Sequence, residues 1–154
     1  MVWLAISTRG ISNPQFFKSG FNINTNTYLQ CLKRGLIPFI KKYHPLGERL
    51  FWPDKASSHY AKPVLDFLKA ENIPVVSKDN NPTNVPQARP IERFWANLQR
   101  MVYSKGRTFD SSPALIARIK YCIHKTDVDV FNTYMKGVPD KLRQISDKGV
   151  YSID

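Results

Sequence analysis

The chain has 154 residues, 42% of them apolar, and a formal net charge of +11. That length suits one domain or most of one, and the composition excludes a disordered or low-complexity chain. No apolar run reaches the length that spans a bilayer, no N-terminal segment is laid out as a secretory leader, and two cysteines, Cys31 and Cys122, cannot build a zinc site alone.

Val2 to Thr8 and Gln15 to Lys18 predict two strands, with Asn13-Pro14 between them and Arg9-Gly10 as turn punctuation. Asn24 to Asn26 offers a helix cap. From Tyr28 onward, Leu29, Leu32, Leu36, Phe39 and Ile40 fall at helical spacing. Pro38 inside that run is expected to kink or break the helix. Leu50-Phe51-Trp52 is a short continuous apolar strand stopped by Pro53, a pattern that suits burial on both faces.

His59 to Asn72 predicts a second helix with Val64, Leu65, Phe67 and Leu68 inward and Pro63 tolerated near its first turn. Ile73-Pro74-Val75-Val76 is the next strand, so the strand, helix, strand series implies a crossover and parallel pairing. Ser77 to Arg89 reads as a loop, with Pro82, Pro86 and the amides of Asn80, Asn81, Asn84 and Gln87. Pro90 sits where a helix begins, and Ile91, Phe94, Trp95, Leu98, Met101 and Val102 form its apolar stripe. A further helix is expected to be capped by Ser112, with Pro113 at its first position, and to run through Leu115, Ile116, Ile119 and Ile123. Val128 to Lys148 predicts helix with a break at Gly137-Val138-Pro139 and a stop at Gly149. The layout is α/β, with helices concentrated at the end and no internal repeat.

Lysines and arginines are spread along the chain rather than confined to a tail. A folded surface with a positive field suits nucleic acid, and no membrane partner is expected. Both cysteines are expected to be reduced, in a cytosolic or nuclear setting.

Asp54 follows an apolar strand almost immediately, where ligand chemistry gathers in open α/β sheets. It reads either as a turn aspartate capping the helix that follows or as a metal ligand. Glu92 lies in the first helical turn after Pro90, placed well against the helix dipole and equally suited to bind a cation. Thirty-seven residues lie between them. Two carboxylates on adjoining element ends can share a hard divalent metal, and in a basic chain the matching substrate is a phosphodiester. His59 reads as a helix-start polar residue or a partner of a ligand. Trp52, Phe94 and Trp95 read as core. Lys41, Lys42, Lys55, Arg93, Arg100, Lys105 and Arg107 are candidate phosphate contacts.

The blocks FWPDKASSHYAKPVLDFL, IPVVS and NNPTNVPQARPIERFWANLQRMVY resemble the catalytic domain of mariner-like transposases of the DDE superfamily. MVWLAIS, the N-x-x-x-Y stretch ending at Tyr28, and LIPFI resemble the same family in the same order, so the similarity spans nearly the whole chain. In that family an aspartate ends a central strand in a D-x-A-x-x-H context, and an acid opens a helix in a P-I-E-x-x-W context. The resemblance implies a ribonuclease-H-like mixed sheet with flanking helices. It also implies three acidic residues holding two Mg²⁺ or Mn²⁺ ions, DNA as partner, action as a homodimer and a nuclear location. Asp54 corresponds to the second acid and Glu92 to the third, both as catalytic metal ligands.

The family's first acid lies on a strand before the block that MVWLAIS resembles. The expectation is therefore one catalytic-domain fragment over residues 1–154, without the first catalytic strand and the helix-turn-helix region: a truncated copy or partial gene model that does not cut DNA efficiently alone. Glu48, six residues before Asp54, would sit roughly 20 Å away along a strand and is not expected to substitute. Lys55 stands where the family usually has asparagine, and could pair with Asp54 or contact a phosphate. Two other classes stay open, a catalytically inactive nucleic-acid-binding module and a dimerisation domain.

Overall fold

A computed structural model describes residues 1–18, 20, 22–45, 47, 49–83 and 85–152; Glu48 and Asn84 lie outside the described residues. In chain order the elements are β1 (Val2–Trp3), β2 (Ile6–Ser7), β3 (Gly10–Ile11), β4 (Gln15–Phe16), α1 (Thr25–Cys31), α2 (Ile37–Tyr43), α3 (Lys62–Ala70), α4 (Pro90–Val102), α5 (Ser112–His124), α6 (Asp129–Lys136) and α7 (Val138–Lys148). They form two compact units, one of residues 1–5 with 12–83, the other of 6–11 with 84–154.

In the first unit β1 pairs antiparallel with β4, Val2 opposite Phe16 and Trp3 opposite Gln15. The predicted strand from Val2 to Thr8 is interrupted. Ala5 donates its N–H to Ser12 Oγ at 2.8 Å, a side-chain acceptor in place of a ladder carbonyl. Ile6–Ser7 then pairs with Gly10–Ile11 in the second unit.

Asn24 caps α1 as the sequence predicts, its Oδ1 accepting from Thr27 N–H at 2.9 Å. Pro38 does not break the helix that follows. Leu32–Leu36 widens into a π turn and α2 runs on from Ile37. Proline lacks an N–H, and its ring crowds the carbonyl four residues back. A wider turn just upstream moves that carbonyl aside. Gly35 lies in this turn against Trp3, where a Cβ would come within 2.4 Å of the indole ring.

The Leu50-Phe51-Trp52 strand is reduced to one parallel bridge, Phe51 to Val75, with Phe51 N–H donating to Pro74 O and Val76 N–H to Phe51 O. The parallel sense is as predicted, but Leu50 is 64% exposed, so burial on both faces does not hold. The physical reason is proline: Pro53 and Pro74 have no N–H to extend a ladder. The predicted helix from His59 is a 3₁₀ turn at Ser57–Tyr60 followed by α3, which ends with Asn72 at φ +53. Ala5, Tyr28, Leu32, Leu36, Phe39, Val64, Leu68 and Ile73 form the core of this unit.

In the second unit α4 opens on Pro90 and buries Phe94, Leu98 and Val102. Phe94 meets Phe131 of α6 at 5.6 Å between ring centroids. Arg118 of α5 donates to Met101 O at 2.8 Å, placing a cation at the carboxyl end of α4. The cap of α5 is Ser111 rather than Ser112, its Oγ accepting from Ala114 N–H at 3.4 Å, so Pro113 takes the second helical position. α6 and α7 part at Gly137, and Gly149 ends α7 at φ +84. Cys31 and Cys122 are buried free thiols. Among the described residues no helix is long and apolar enough to cross a membrane.

Candidate metal centre and nucleic-acid interface

Phe51 is held in its bridge, Pro53 is buried, and Asp54 emerges beyond them. Asp54 Oδ1 accepts from Ala56 N–H at 2.9 Å, an Asx turn that leads into the 3₁₀ turn. The same oxygen lies 2.7 Å from His59 Nδ1, at ion-pair distance but off the axis of an aligned hydrogen bond. The Asp54 side chain is 68% exposed and that of His59 10%. The turn-aspartate role is therefore real, and it leaves the carboxylate facing solvent.

His59 stacks on Tyr28, with ring centroids 3.8 Å apart and planes 24° from parallel. Burial pushes the Tyr28 phenol far above its ordinary value, and the negative charge of Asp54 pushes it in the same direction. The charge of the carboxylate is thus felt by a buried phenol in the core of its unit.

Asn81, which the sequence presents only as a loop amide, is wholly buried. Its Oδ1 accepts from Trp52 Nε1 at 2.8 Å, and its Nδ2 donates to Pro53 O at 2.8 Å and to Tyr60 Oη at 2.6 Å. Tyr60 Oη in turn donates to Val76 O at 3.2 Å. The available signal was its spacing: an amide five residues past an apolar strand, directly before a proline.

Glu92 sits in the first turn of α4, exposed, where the N-terminal end of the helix dipole favours a carboxylate. Arg93, Ala96, Gln99 and Arg100 share the exposed side of that helix, and Arg100 donates to Asn97 Oδ1 at 3.2 Å. Lys105 is exposed at φ +60, and Arg107 is exposed beyond it. Asp54, half-buried Lys55, and exposed Lys41 and Lys42 belong to the first unit; Glu92, Arg93, Arg100, Lys105 and Arg107 belong to the second. Among the described residues no three His, Cys, Asp or Glu side chains gather as a ready metal cluster.

No family model matches the chain. The Tc3 transposase of Caenorhabditis elegans is 25% identical over 145 residues, which cover 94% of this chain and 42% of that protein. The crystal structure of the catalytic domain of Mos1 mariner transposase superposes with a TM-score of 0.83 at 19% identity, over 97% of this chain and 74% of that one. The fold is shared with the Mos1 catalytic domain. Its mixed α/β architecture is that of the Mos1 catalytic domain, the ribonuclease-H-like arrangement. The Mos1 transposase paired-end complex with left transposon end also superposes, with a TM-score of 0.80 at 20% identity, over 99% of this chain and 44% of that one. The chain spans less than half the length of the Tc3 transposase it matches.

Proposed function

We propose that this chain is part of a DNA transposase, and that Asp54 and Glu92 are carboxylate ligands for divalent metal. The observation that carries the reading is Asp54: an exposed carboxylate just past a short parallel bridge, oriented by Ala56 N–H and His59, in a chain with the Mos1 catalytic fold. Metal-binding carboxylates are commonly fixed by hydrogen-bonded neighbours, as Ala56 N–H is here. The Mos1 catalytic domain has been described with Mn and with Mg.

The donor chemistry of the two residues fits such an ion. Both offer hard carboxylate oxygens, both are exposed, and Glu92 sits at a helix N-terminus, where the dipole favours negative charge. When bound, Mg²⁺ or Mn²⁺ would activate an attacking oxygen and stabilise a leaving one in phosphodiester displacement. The chain's own residues hold and orient. Ala56 N–H and His59 fix one Asp54 oxygen, while Arg93, Arg100, Lys105, Arg107 and Lys55 supply positive charge for phosphates. No aspartate precedes Asp54 in the sequence. DNA is the proposed partner, a homodimer the proposed assembly and the nucleus the proposed place of action.

The test is an NMR titration with Mn²⁺, whose paramagnetism broadens nearby amides. Broadening of Ala56 that disappears in Asp54→Ala, and of Arg93 that weakens in Glu92→Gln, is the expected result. Broadening that ignores both substitutions, or its absence at millimolar Mn²⁺, would overturn the assignment.

A further inference from the structure

We infer that Asn81 is a positioning residue for Asp54, acting through the backbone of Pro53. This rests on the reading of Asp54 as a metal ligand and extends that site to a residue twenty-seven positions away in sequence.

Pro53 is the residue immediately before Asp54, and having no N–H it cannot be fixed by donating to a strand. Its carbonyl is the group left to hold. Asn81 Nδ2 donates to that carbonyl at 2.8 Å from a fully buried position. The carboxamide cannot be inverted. An indole nitrogen only donates, so Trp52 Nε1 requires Oδ1 on its side; a proline carbonyl only accepts, so Nδ2 must face Pro53. The second Nδ2 hydrogen goes to Tyr60 Oη, whose own hydrogen goes to Val76 O.

One side chain therefore ties together the two residues before Asp54, the 3₁₀ turn after it and the strand across the parallel bridge. The Asx turn at Ala56 and the close contact with His59 fix the carboxylate from the C-terminal side. Asn81 fixes its backbone from the N-terminal side. Leucine at 81 would keep the volume and lose every hydrogen bond. Aspartate would keep the acceptor for Trp52 and place an oxygen against the Pro53 carbonyl.

The experiment reads three signals in Asn81→Leu and Asn81→Asp: the Trp52 indole and Ala56 amide shifts, and the Mn²⁺ concentration that broadens Ala56. Val64→Ala, a core change away from the clamp, serves as the control for lost stability. Both Asn81 variants should move the two shifts and raise the half-saturating Mn²⁺ concentration on the order of tenfold, the scale of such outer contacts. Val64→Ala should lower the melting temperature without moving the Mn²⁺ midpoint. Folded Asn81 variants with parental Ala56 shift and Mn²⁺ midpoint would overturn the inference. If neither folds, Tyr60→Phe takes their place: removing one acceptor of Asn81 should shift Trp52 and Ala56 in the same direction, and unchanged shifts would overturn it. Parental protein that shows no Mn²⁺ effect defeats the metal assignment, while the two diamagnetic shifts still decide whether Asn81 sets the Asp54 turn.

Discussion

Tyr28 lies flat against His59, ring on ring at 3.8 Å, so a helix of the core supports the imidazole that touches Asp54. Tyr28 is 1% exposed. Truncating a buried aromatic of this size costs about 3–5 kcal/mol. Tyr28→Ala should therefore destabilise the protein by that amount in denaturant titrations. Tyr28→Phe keeps the stacking ring, and the His59 ring-proton shifts should remain close to parental. Large shifts in Tyr28→Phe would show that the hydroxyl, not the stack, places His59.

A second expectation concerns alkaline pH. Burial pushes the Cys31 thiol up to about 11 from its ordinary 9.0, and Tyr28 moves in the same direction. The folded state therefore holds these protons to higher pH than the unfolded chain. Their contribution is fully present below about pH 9 and is lost as pH rises toward 11 and beyond, with a slope of at most about 1.4 kcal/mol per pH unit for each group. Cys31→Ala should flatten the loss of melting temperature between pH 9 and 11. A parental slope in that variant would place the linkage elsewhere.

Gly35 against Trp3 gives a packing test. A methyl group at 35 meets the indole at 2.4 Å, and overpacking of this kind costs about 1–3 kcal/mol. Gly35→Ala should be destabilising in the parent and markedly less so beside Trp3→Leu. Additive losses in that double-mutant cycle would refute the contact.

DNA binding is expected to fall steeply with salt, since each neutralised phosphate contributes about −0.9 to the log–log slope. Replacing Arg93 and Arg100 together by glutamine should make the slope shallower by up to roughly two such contacts. It should weaken unrelated duplexes alike, because no base-reading motif is evident in the sequence. A selective loss on one sequence would argue for base contact instead.

Much of the α-helical part was legible because local chemistry decided it. Asn24 caps α1, Pro90 opens α4, and the stripe through Phe94, Leu98 and Val102 is the buried one. The cap at Ser111 was displaced by one residue, since adjacent serines offer the same oxygen and only backbone geometry chooses. The strands were harder. Apolar continuity at Leu50-Phe51-Trp52 promised a buried ladder, but prolines in both partners left one bridge. At the site, Asp54 and Glu92 were conspicuous as acids at element ends. Asn81 was not, because its importance comes from three partners brought to it by folding, none closer than twenty-one residues in sequence.

The π turn between α1 and α2 makes the spacing of this segment a structural quantity in its own right. An α-helix advances about 100° per residue, so a widened turn accommodates one residue beyond regular winding. Lys33 and Arg34 on that turn are exposed, and their identities are free to drift. Their number is not, because the extra residue is what widens the turn. Losing either one would let the turn rewind as ordinary α-helix, with Tyr28 and Phe39 nearly keeping their phase, and the ring of Pro38 would again face the carbonyl four residues before it. A solvent-facing stretch that tolerates exchange of side chains thus acts as a spacer, whose length rather than chemistry lets a proline sit inside a continuous helix.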